Sequence, residues 1–377
     1  MVDTILCIDS GTTSLKAALL SDKCTVEAYS RQPFAAPGAE AWFGALGAAV
    51  RSLKEQNPGA GIEAVCVSGN GPSLVADCGA DGQKTLLWNE PPSAIELAAL
   101  NDAPQTRSLF IPRFRLLKER HSAAWSRAGR IFSGPEYLIF RLTGTALSIL
   151  PGERYESAYW SRDELVRCGF SADDIEKIPP FVRMGAFAGT VSANAAITTG
   201  LLEGTLVFCG APDFIVALLG TGAVFPGTVC DRAGSSEGLN LCTDTPLRAP
   251  GVRTLPHPVP GLWNAGVLIE QSGTRIAEGA DGKAAVLEAF VRGIETLRSL
   301  SNGAFPRTIT MTGGQCADEA WIRQKAERAN VRIDVPWCAD AELIGDLILA
   351  RVALGDFDDI QEAALCLCKA KKSYGNI

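Results

Sequence analysis

The sequence is poor in histidine and has no clustered cysteines of the kind that build metal sites. Only 2 of its 377 residues are histidine, His121 and His257. Its 12 cysteines are scattered, mostly inside apolar stretches, and no Cys-x-x-Cys pair occurs. We therefore expect neither a zinc site nor a disulfide framework, and reduced, buried thiols fit the pattern better.

The chain also lacks a surplus of positive charge and any long apolar run. Its 35 basic and 42 acidic residues give a net charge of −7, which argues against a nucleic-acid or anionic-membrane partner. No apolar run approaches the roughly 20 residues that span a bilayer. The first residues, Met-Val-Asp-Thr-Ile-Leu, do not resemble a signal peptide. We expect a cytoplasmic protein with no membrane or nucleic-acid partner.

The most informative stretch of the chain is its first twenty residues. A buried strand predicted over 4–9 ends on Asp9, and a second strand is predicted over 15–21. Gly11 lets the turn between them pass close to a ligand, and successive amides in such a turn bind anions. Asp9 is suited to hold a hydrated Mg²⁺. Further donors for a phosphate are Thr12, Thr13, Ser14 and Lys16. The competing interpretation is a polar hairpin tip with a solvated aspartate.

The remaining pattern mixes strands and helices and restarts in the second half, which predicts an α/β protein. Helices are expected over 41–56, most of 94–150, 212–219 and 341–354. Further strands are expected near 24–30, 62–68, 73–76, 84–88, 205–209, 224–229 and 309–312.

Three later motifs also carry polar chemistry. A Gly/Pro break places Asp213 at the start of an apolar helix, where it is either a functional carboxylate or a structural N-cap. A small hydroxyl-bearing turn follows at Gly234-Ser235-Ser236. A strand over 309–312 then leads into Gly313-Gly314 and a helix near Trp321.

In this order the motifs resemble those of the FGGY carbohydrate kinase family, with xylulokinase-like members nearest. Asp9-Ser-Gly-Thr-Thr-Ser-Leu-Lys16 resembles the family's first phosphate loop, and Gly210-Ala-Pro-Asp213 the string that carries its catalytic base. Gly234-Ser235-Ser236 resembles the second phosphate loop, and the segment from Gly313 to Asp318 the start of the adenosine segment.

This resemblance implies a two-domain actin-like ATPase fold of the ribonuclease H-like type, with an ATP and sugar cleft between domains 1–224 and 225–377. It implies ATP-dependent phosphorylation of a small sugar or polyol, with Asp9 orienting Mg²⁺ through water and Asp213 as catalytic base. The residues implied to bind ATP or its phosphates are Gly11, Thr12, Thr13, Ser14, Lys16, Gly234, Ser235, Ser236, Gly313, Gly314 and Asp318.

The acceptor side departs from the family pattern. Where relatives commonly carry Trp-x-Asp-x-Arg, this chain has Trp88-Asn-Glu90-Pro-Pro92, and proline offers none of arginine's donors. The second domain also looks shortened between 278 and 285, and the first is thin over 91–112. We expect the acceptor to contact Asn70, Gly71, Trp88, Glu90 and Asp213, with low affinity for D-xylulose.

Two alternatives to an active kinase remain open at this stage. One is a nucleotide-binding pseudokinase or regulatory protein, which the altered acceptor residues favour and the intact Asp9 and Asp213 oppose. The other is a serine hydrolase, because Gly234-Ser-Ser-Glu-Gly238 fits Gly-x-Ser-x-Gly with His257 downstream. The sequence leaves the oligomeric state open, with a homodimer as one option.

Overall fold

The computed structural model describes residues 3–301, 303 and 305–375. The chain divides into two compact units, one of residues 1–20 and 27–213 and one of residues 21–26 and 214–377. The unit boundary at 213/214 falls inside the region assigned above to the first domain, and the limits 1–224 and 225–377 stay a prediction. Among the described residues, no helix is long and apolar enough to cross a membrane.

The first unit combines strands with helices that mostly follow them in the chain. Its strands are β1 Asp3–Ser10, β2 Ser14–Ser21, β3 Val26–Pro33, β4 Gly61–Gly69, β5 Leu74–Asp77, β6 Gln83–Leu86, β7 Arg130–Ser133, β8 Ser148–Leu150, β9 Phe181–Arg183, β10 Phe187–Thr190 and β11 Leu206–Pro212. Its helices are α1 Ala39–Gln56, α2 Ala94–Asp102, α3 Ile111–Arg120, α4 Ser122–Arg127, α5 Gly134–Thr143, α6 Arg162–Arg167, α7 Ala172–Glu176 and α8 Ala193–Thr199.

The second unit repeats this mixture. Its helices are α9 Asp213–Gly220, which begins on the last residue of the first unit, α10 Ser272–Ala277, α11 Ala280–Leu300, α12 Glu319–Ala329, α13 Ala341–Leu354 and α14 Ile360–Leu367. Its strands are β12 Val229–Ala233, β13 Glu237–Thr243, β14 Arg253–Pro256, β15 Trp263–Ile269, β16 Thr308–Thr312, β17 Arg332–Pro336 and β18 Ala370–Tyr374.

A six-stranded sheet in the order β10-β11-β4-β1-β2-β3 forms the centre of the first unit. Its middle strands β1, β4 and β11 run parallel and are almost entirely buried, as expected of strands covered on both faces. Helix α1 packs its apolar stripe, including Trp42, Leu46 and Leu53, into the same core as Ile8 and Val67. This burial holds the carboxyl ends of the three parallel strands in fixed register.

A seven-stranded sheet in the order β14-β15-β13-β12-β16-β17-β18 forms the second unit. Strands β12, β16 and β17 pair in parallel, and the others pair antiparallel. Helices α11 and α12 cover the sheet with buried residues such as Phe290, Ile294 and Trp321. Helix α11 begins at Ala280, almost directly after α10 ends at Ala277, at the point where the sequence looks shortened.

Most predicted elements are confirmed, with two corrections. The segment 94–150 is not helical throughout, because β7 and β8 interrupt it. The strand predicted over 224–229 is wrong, since the strand begins only at Val229. There the Thr228 amide donates to the Phe225 carbonyl at 3.1 Å, and Gly227 has φ +85°. Pro226 and Gly227 therefore occupy the centre of a turn, which the apolar residues around them concealed.

Helices α9 and α13 cross at glycines, and this close approach is testable. A Cβ at Gly345 would overlap the Val216 carbonyl of α9, so Gly345→Ala should destabilise the fold by about 1–3 kcal/mol or more. In α1, a Cβ at Gly44 would meet no atom within 4 Å, so Gly44→Ala should instead stabilise by about 0.5–1 kcal/mol. Thermal unfolding midpoints that move in the same direction for both variants would contradict this packing.

Candidate active site

Three parallel strands of the first unit end side by side, and most candidate residues of this unit lie at that edge. Ser10 of β1 is in register with Gly69 of β4, which is in register with Pro212 of β11. Side chains that follow the carboxyl ends of adjacent parallel strands share one edge of a sheet. The register therefore brings together Asp9, Asn70 and Asp213, which are 61 and 143 residues apart in sequence (70 − 9 and 213 − 70).

Asp9 is a buried carboxylate beside a cation. Its Oδ2 lies 3.3 Å from Lys16 Nζ of β2, and Asp9 is only 3% exposed. Lys16 retains partial exposure, so its ammonium borders both Asp9 and solvent. A site with one carboxylate suits Mg²⁺, which in proteins often takes one or two carboxylates and completes its coordination with water and substrate phosphates. The donor set at Asp9 fits that metal.

The turn after Asp9 has the form expected of a phosphate loop, with one exception. The Gly11 amide donates to the Ser14 carbonyl at 3.1 Å, which closes the turn. Gly11, Thr12 and Thr13 retain exposure, so their polar groups can reach a ligand. The Ser14 side chain instead is buried and accepts a hydrogen bond from Arg31 Nε at 3.0 Å. Ser14 is thus placed to support the turn, through a contact that its spacing in the sequence did not reveal.

Trp88 connects the predicted acceptor residues to the phosphate loop. Its indole Nε1 donates to Thr12 Oγ1 at 2.9 Å, and its backbone amide donates to Ser73 Oγ at 3.0 Å. The side chain is 43% exposed, so one face of the indole is open to solvent. Trp88 therefore offers an apolar surface beside the loop, and its contact with an acceptor stays a prediction.

Asn70 has a different role from the one expected of it. Its Nδ2 donates to the Ser10 carbonyl at 3.1 Å, and its Oδ1 accepts from the Ser73 hydroxyl. At 3% exposure the side chain is enclosed, so these contacts tie the end of β1 to the start of β5. Neighbouring Gly71 is adjacent to Pro212, because a Cβ there would lie 3.8 Å from the proline ring. Asn70 and Gly71 thus shape the strand edge, and their contact with an acceptor stays a prediction.

Glu90 is held by two arginines that the sequence analysis missed. Its Oε1 accepts from the Leu87 amide at 2.8 Å, and its Oε2 lies 3.0 Å from Arg120 Nη1. Arg113 donates to the carbonyls of Leu87 and Glu90. Both arginines come from α3, where they are seven residues apart. Helix α3 thus places two guanidinium groups near Pro91-Pro92, where they bind protein groups of this segment.

Asp213 is the first residue of α9 and stands directly after Pro212, the last residue of β11. Strand β11 continues through the predicted Gly/Pro break, so the strand delivers the carboxylate straight to the helix. Asp213 is partly exposed, and a carboxylate at a helix N-terminus is stabilised by the helix dipole. Asp213 lies at the edge of the sheet as well as at the start of a helix. The position at the sheet edge is suitable for a functional carboxylate.

In the second unit, parallel strand pairing likewise brings two glycine-containing loops together. Arg232 of β12 pairs in parallel with Thr312 of β16, so the turn at 234–236 lies beside Gly313. A Cβ at Gly313, whose φ is +99°, would come within 2.6 Å of the Ala233 carbonyl. Gly273 of α10 also joins them, as its amide donates to the Ser235 carbonyl at 3.0 Å.

These loops surround an open cavity of about 590 Å³. Its lining includes Gly234, Ser235, Gly273, Gly314, Asp318 and Trp321, so four predicted nucleotide-binding residues share one cavity. Predicted Ser236 is in the same turn, and its carbonyl accepts from the Gly234 amide at 3.2 Å.

Asp318 is at the rim of this cavity and caps α12. Its Oδ1 accepts from the Trp321 amide at 3.0 Å, and its Oδ2 lies 2.9 Å from Lys283 Nζ. Those two contacts lower the pKa of Asp318, so it is ionised at neutral pH. Lys283 also lies 5.0 Å from the Trp321 ring, which places one cation at the cavity rim. Lys283 was not predicted.

The hydrolase alternative does not fit this geometry. A nucleophile elbow needs a strand, a turn and then a helix, but the turn at 234–236 joins antiparallel strands β12 and β13. His257 is buried with its Nε2 2.9 Å from the Ala223 carbonyl, and its Nδ1 accepts from the Val259 amide. Its ring nitrogens are therefore occupied by backbone groups.

Comparison with known proteins agrees with this geometry. No model of a known protein family matches the chain. The chain is 22% identical over 361 residues to xylulose kinase of Bacillus subtilis (strain 168), covering 75% of this chain and 72% of that protein. It is 28% identical over 164 residues to autoinducer-2 kinase of Escherichia coli (strain K12), covering 41% of this chain and 30% of the relative.

Solved structures show the same fold over nearly the whole chain. Xylulose kinase from Rhodospirillum rubrum has a TM-score of 0.79 at 17% identity, covering 99% of this chain and 94% of that one. Gluconate kinase from Lactobacillus acidophilus has a TM-score of 0.76 at 17% identity, covering 100% and 94%. The fold is thus the two-domain actin-like ATPase fold of carbohydrate kinases. The xylulose kinase match and the order of the loops make the chain similar to members of the FGGY carbohydrate kinase family.

The adjacent glycines of the second-unit cavity give a test of its geometry. Gly313→Ala should destabilise the protein by about 1–3 kcal/mol, because of its positive φ and the close Ala233 carbonyl. At Gly314 a Cβ would meet nothing within 4 Å, so Gly314→Ala should leave the unfolding midpoint unchanged while adding a methyl group to the cavity. The check is a thermal scan with and without ADP, in which equal loss of stability in both variants would contradict the loop geometry.

Proposed function

We propose that this protein transfers the γ-phosphoryl group of ATP to a hydroxyl of a small sugar or polyol. The observation that carries the proposal is the strand register that places Asp9 and Asp213 at one sheet edge. Phosphoryl transfer depends on positioning and charge neutralisation more than on covalent chemistry, so two carboxylates and a phosphate turn at one edge meet its main demand. The kinase relatives support the same assignment.

In the first unit, we assign phosphate contacts to the turn amides and hydroxyls at Gly11, Thr12 and Thr13, with Lys16 as the neutralising cation. Asp9 would hold Mg²⁺ through water, and that ion would neutralise charge on the transferring phosphate. Ser14 supports the turn through Arg31. Because Lys16 is already paired with Asp9 at 3.3 Å, its ammonium is fixed before any ligand arrives.

Asp213 is assigned as the general base. A carboxylate within hydrogen-bond reach of the acceptor hydroxyl can accept its proton as the oxygen attacks phosphorus. The fixed junction of β11 and α9 gives Asp213 little freedom to move, which keeps such a geometry constant. The competing role is a helix N-terminal residue that stabilises α9 alone.

In the second unit, we assign the cavity between the loops at 234–236 and 313–318 to the adenosine and its adjoining phosphates. Glycines at Gly234, Gly313 and Gly314 keep side chains out of the path of a ligand, and exposed Ser235 offers a hydroxyl. Lys283 and Asp318 form a charged pair at the rim, and they offer polar groups for a ribose hydroxyl or a phosphate.

We assign the acceptor contacts to Trp88 and to the carboxylate of Glu90. Both Glu90 oxygens already accept hydrogen bonds, so Glu90 can contribute only its remaining lone pairs. Asn70 is enclosed, and its amide nitrogen already donates to the Ser10 carbonyl. Fewer free polar groups mean weaker discrimination between acceptors, which supports the expected low affinity for D-xylulose. If the protein phosphorylates no acceptor, it is a pseudokinase.

Nucleotide binding gives the first test. Millimolar Mg·ADP should raise the unfolding midpoint, since a ligand at about a hundred times its Kd stabilises the native state by about 2.7 kcal/mol. Asp9→Asn should remove most of that increase, measured against the variant's own midpoint without ligand. Asp102→Asn, an exposed carboxylate at the end of α2, is the matched control and should respond like the native chain. A native midpoint insensitive to Mg·ADP would count against the kinase assignment.

The role of Asp213 gives the second test. Asp213→Asn should lower turnover of any phosphorylated acceptor by about 10²–10⁴, because the proton acceptor is lost. Its unfolding midpoint should hardly change, since asparagine is also favoured at the start of a helix. Asp163→Asn, which alters another first-turn aspartate, is the control and should keep native turnover. Native turnover in Asp213→Asn would mean that Asp213 only stabilises the helix.

A further inference from the structure

Three charged side chains form a buried cluster directly behind the loops of the second-unit cavity. The Lys325 ammonium of α12 is 2.8 Å from Glu237 Oε1 and 3.2 Å from Asp231 Oδ2. All three side chains are 0% exposed. The ammonium also lies 4.5 Å from the centre of the Phe290 ring of α11, so protein groups replace its water shell.

Stability alone does not explain this cluster. Removing charged groups from water costs several kcal/mol for each ion, and apolar residues of similar size often give equal or greater stability. The cluster also carries two carboxylates for one ammonium, and Asp231 Oδ1 has no hydrogen-bond partner. Burial accordingly raises the pKa of Asp231 to about 7. Buried charges that do not favour folding are better explained by what they position.

The side chain of Gln315 connects the cluster to the cavity by hydrogen bonds. Its Nε2 donates to Glu237 Oε2 at 3.2 Å and to Ser272 Oγ at 2.9 Å, and it lies 3.4 Å from the Gly234 carbonyl. Its Oε1 accepts from Trp321 Nε1 at 2.8 Å. Gln315 also lines the cavity, so one amide contacts the loops on three sides of it.

Asp231 and Glu237 also stand at the base of the turn that faces the cavity. Glu237 pairs with Ala233 as the last pair of the β12–β13 hairpin, and Asp231 pairs with Leu239 two residue pairs further from the turn. The Lys325 ammonium therefore connects both strands of this hairpin to α12. A shift of the ammonium would move the turn at 234–236 and Gln315 together.

We propose that Lys325 is a positioning residue for the nucleotide: through Glu237 and Gln315 it fixes the turn at 234–236 relative to the Gly313–Gly314 loop. This inference rests on the proposed function, since it assumes that the cavity binds ADP and ATP. Lys325 does not line the cavity and acts only through its partners.

The test compares the ADP dissociation constant, by calorimetry, with the unfolding midpoint. Lys325→Met keeps the length of the side chain but removes its charge. It should weaken ADP binding by about ten- to a hundredfold, the effect of losing a hydrogen bond to a charged group. Arg328→Met, an exposed cation on the same helix, is the matched control and should keep native affinity.

A second variant separates positioning from folding. Lys325→Met leaves two buried carboxylates without a cation, so a triple variant, Asp231→Leu with Glu237→Met and Lys325→Met, removes all charge from the cluster. It should fold with at least native stability, as expected for an apolar replacement, yet bind ADP as weakly as the single variant.

The kinetic constants distinguish the outcomes further. Mispositioned loops should raise the KM for ATP with kcat at saturating ATP nearly kept, whereas a smaller folded fraction would lower kcat at unchanged KM. A folded triple variant with native ADP affinity would overturn the positioning role. If the native chain binds no ADP, the proposed function itself is wrong. The measurement on the native chain gives that result before any variant is made.

Discussion

The parallel pairing of β1 with β4 and of β4 with β11 is the constraint on which the candidate site depends. Each strand carries one polar group at or just beyond its carboxyl end, and none of them is near the others in sequence. Because the strands are buried on both faces, a one-residue slip would turn every side chain to the opposite face, disrupt its packing and move the polar groups at the strand ends. The hydrophobic core thus sets the geometry of Asp9 and Asp213.

The second unit also relies on parallel strand pairing, and it adds a buried cluster of charged side chains. Parallel strands β12 and β16 bring the turn at 234–236 beside Gly313, and glycine allows the close approach. The buried Lys325 cluster then joins that hairpin to α12 through charges that do not favour folding on their own. The register of the apolar strands places the loops. Hydrogen bonds through Gln315 determine the spacing between them.

The fold and the resemblance to carbohydrate kinases could be predicted from the sequence because apolar strands and glycine turns leave local signals. The loops at Asp9, Gly234 and Gly313 fall where those signals placed them. The partners of Glu90 and Asn70 could not be predicted, because Arg120 and Ser10 reach them through tertiary packing that no local spacing encodes. For the same reason no local pattern marks Lys325 as a buried residue. The turn at Pro226-Gly227 was a local signal that was misinterpreted, since apolar neighbours suggested a strand.

The central claim is that ATP phosphorylates a sugar or polyol at the first-unit strand edge. The most direct measurement is transfer of the labelled γ-phosphoryl group of ATP to a panel of ketopentoses, aldopentoses and polyols, with each product identified by mass. The account predicts an acceptor-dependent phosphosugar or phosphopolyol, formed with loss of one γ-phosphoryl group per product. Tight binding of ATP with no labelled product from any acceptor would contradict it, and would assign the chain to nucleotide-binding proteins without kinase activity.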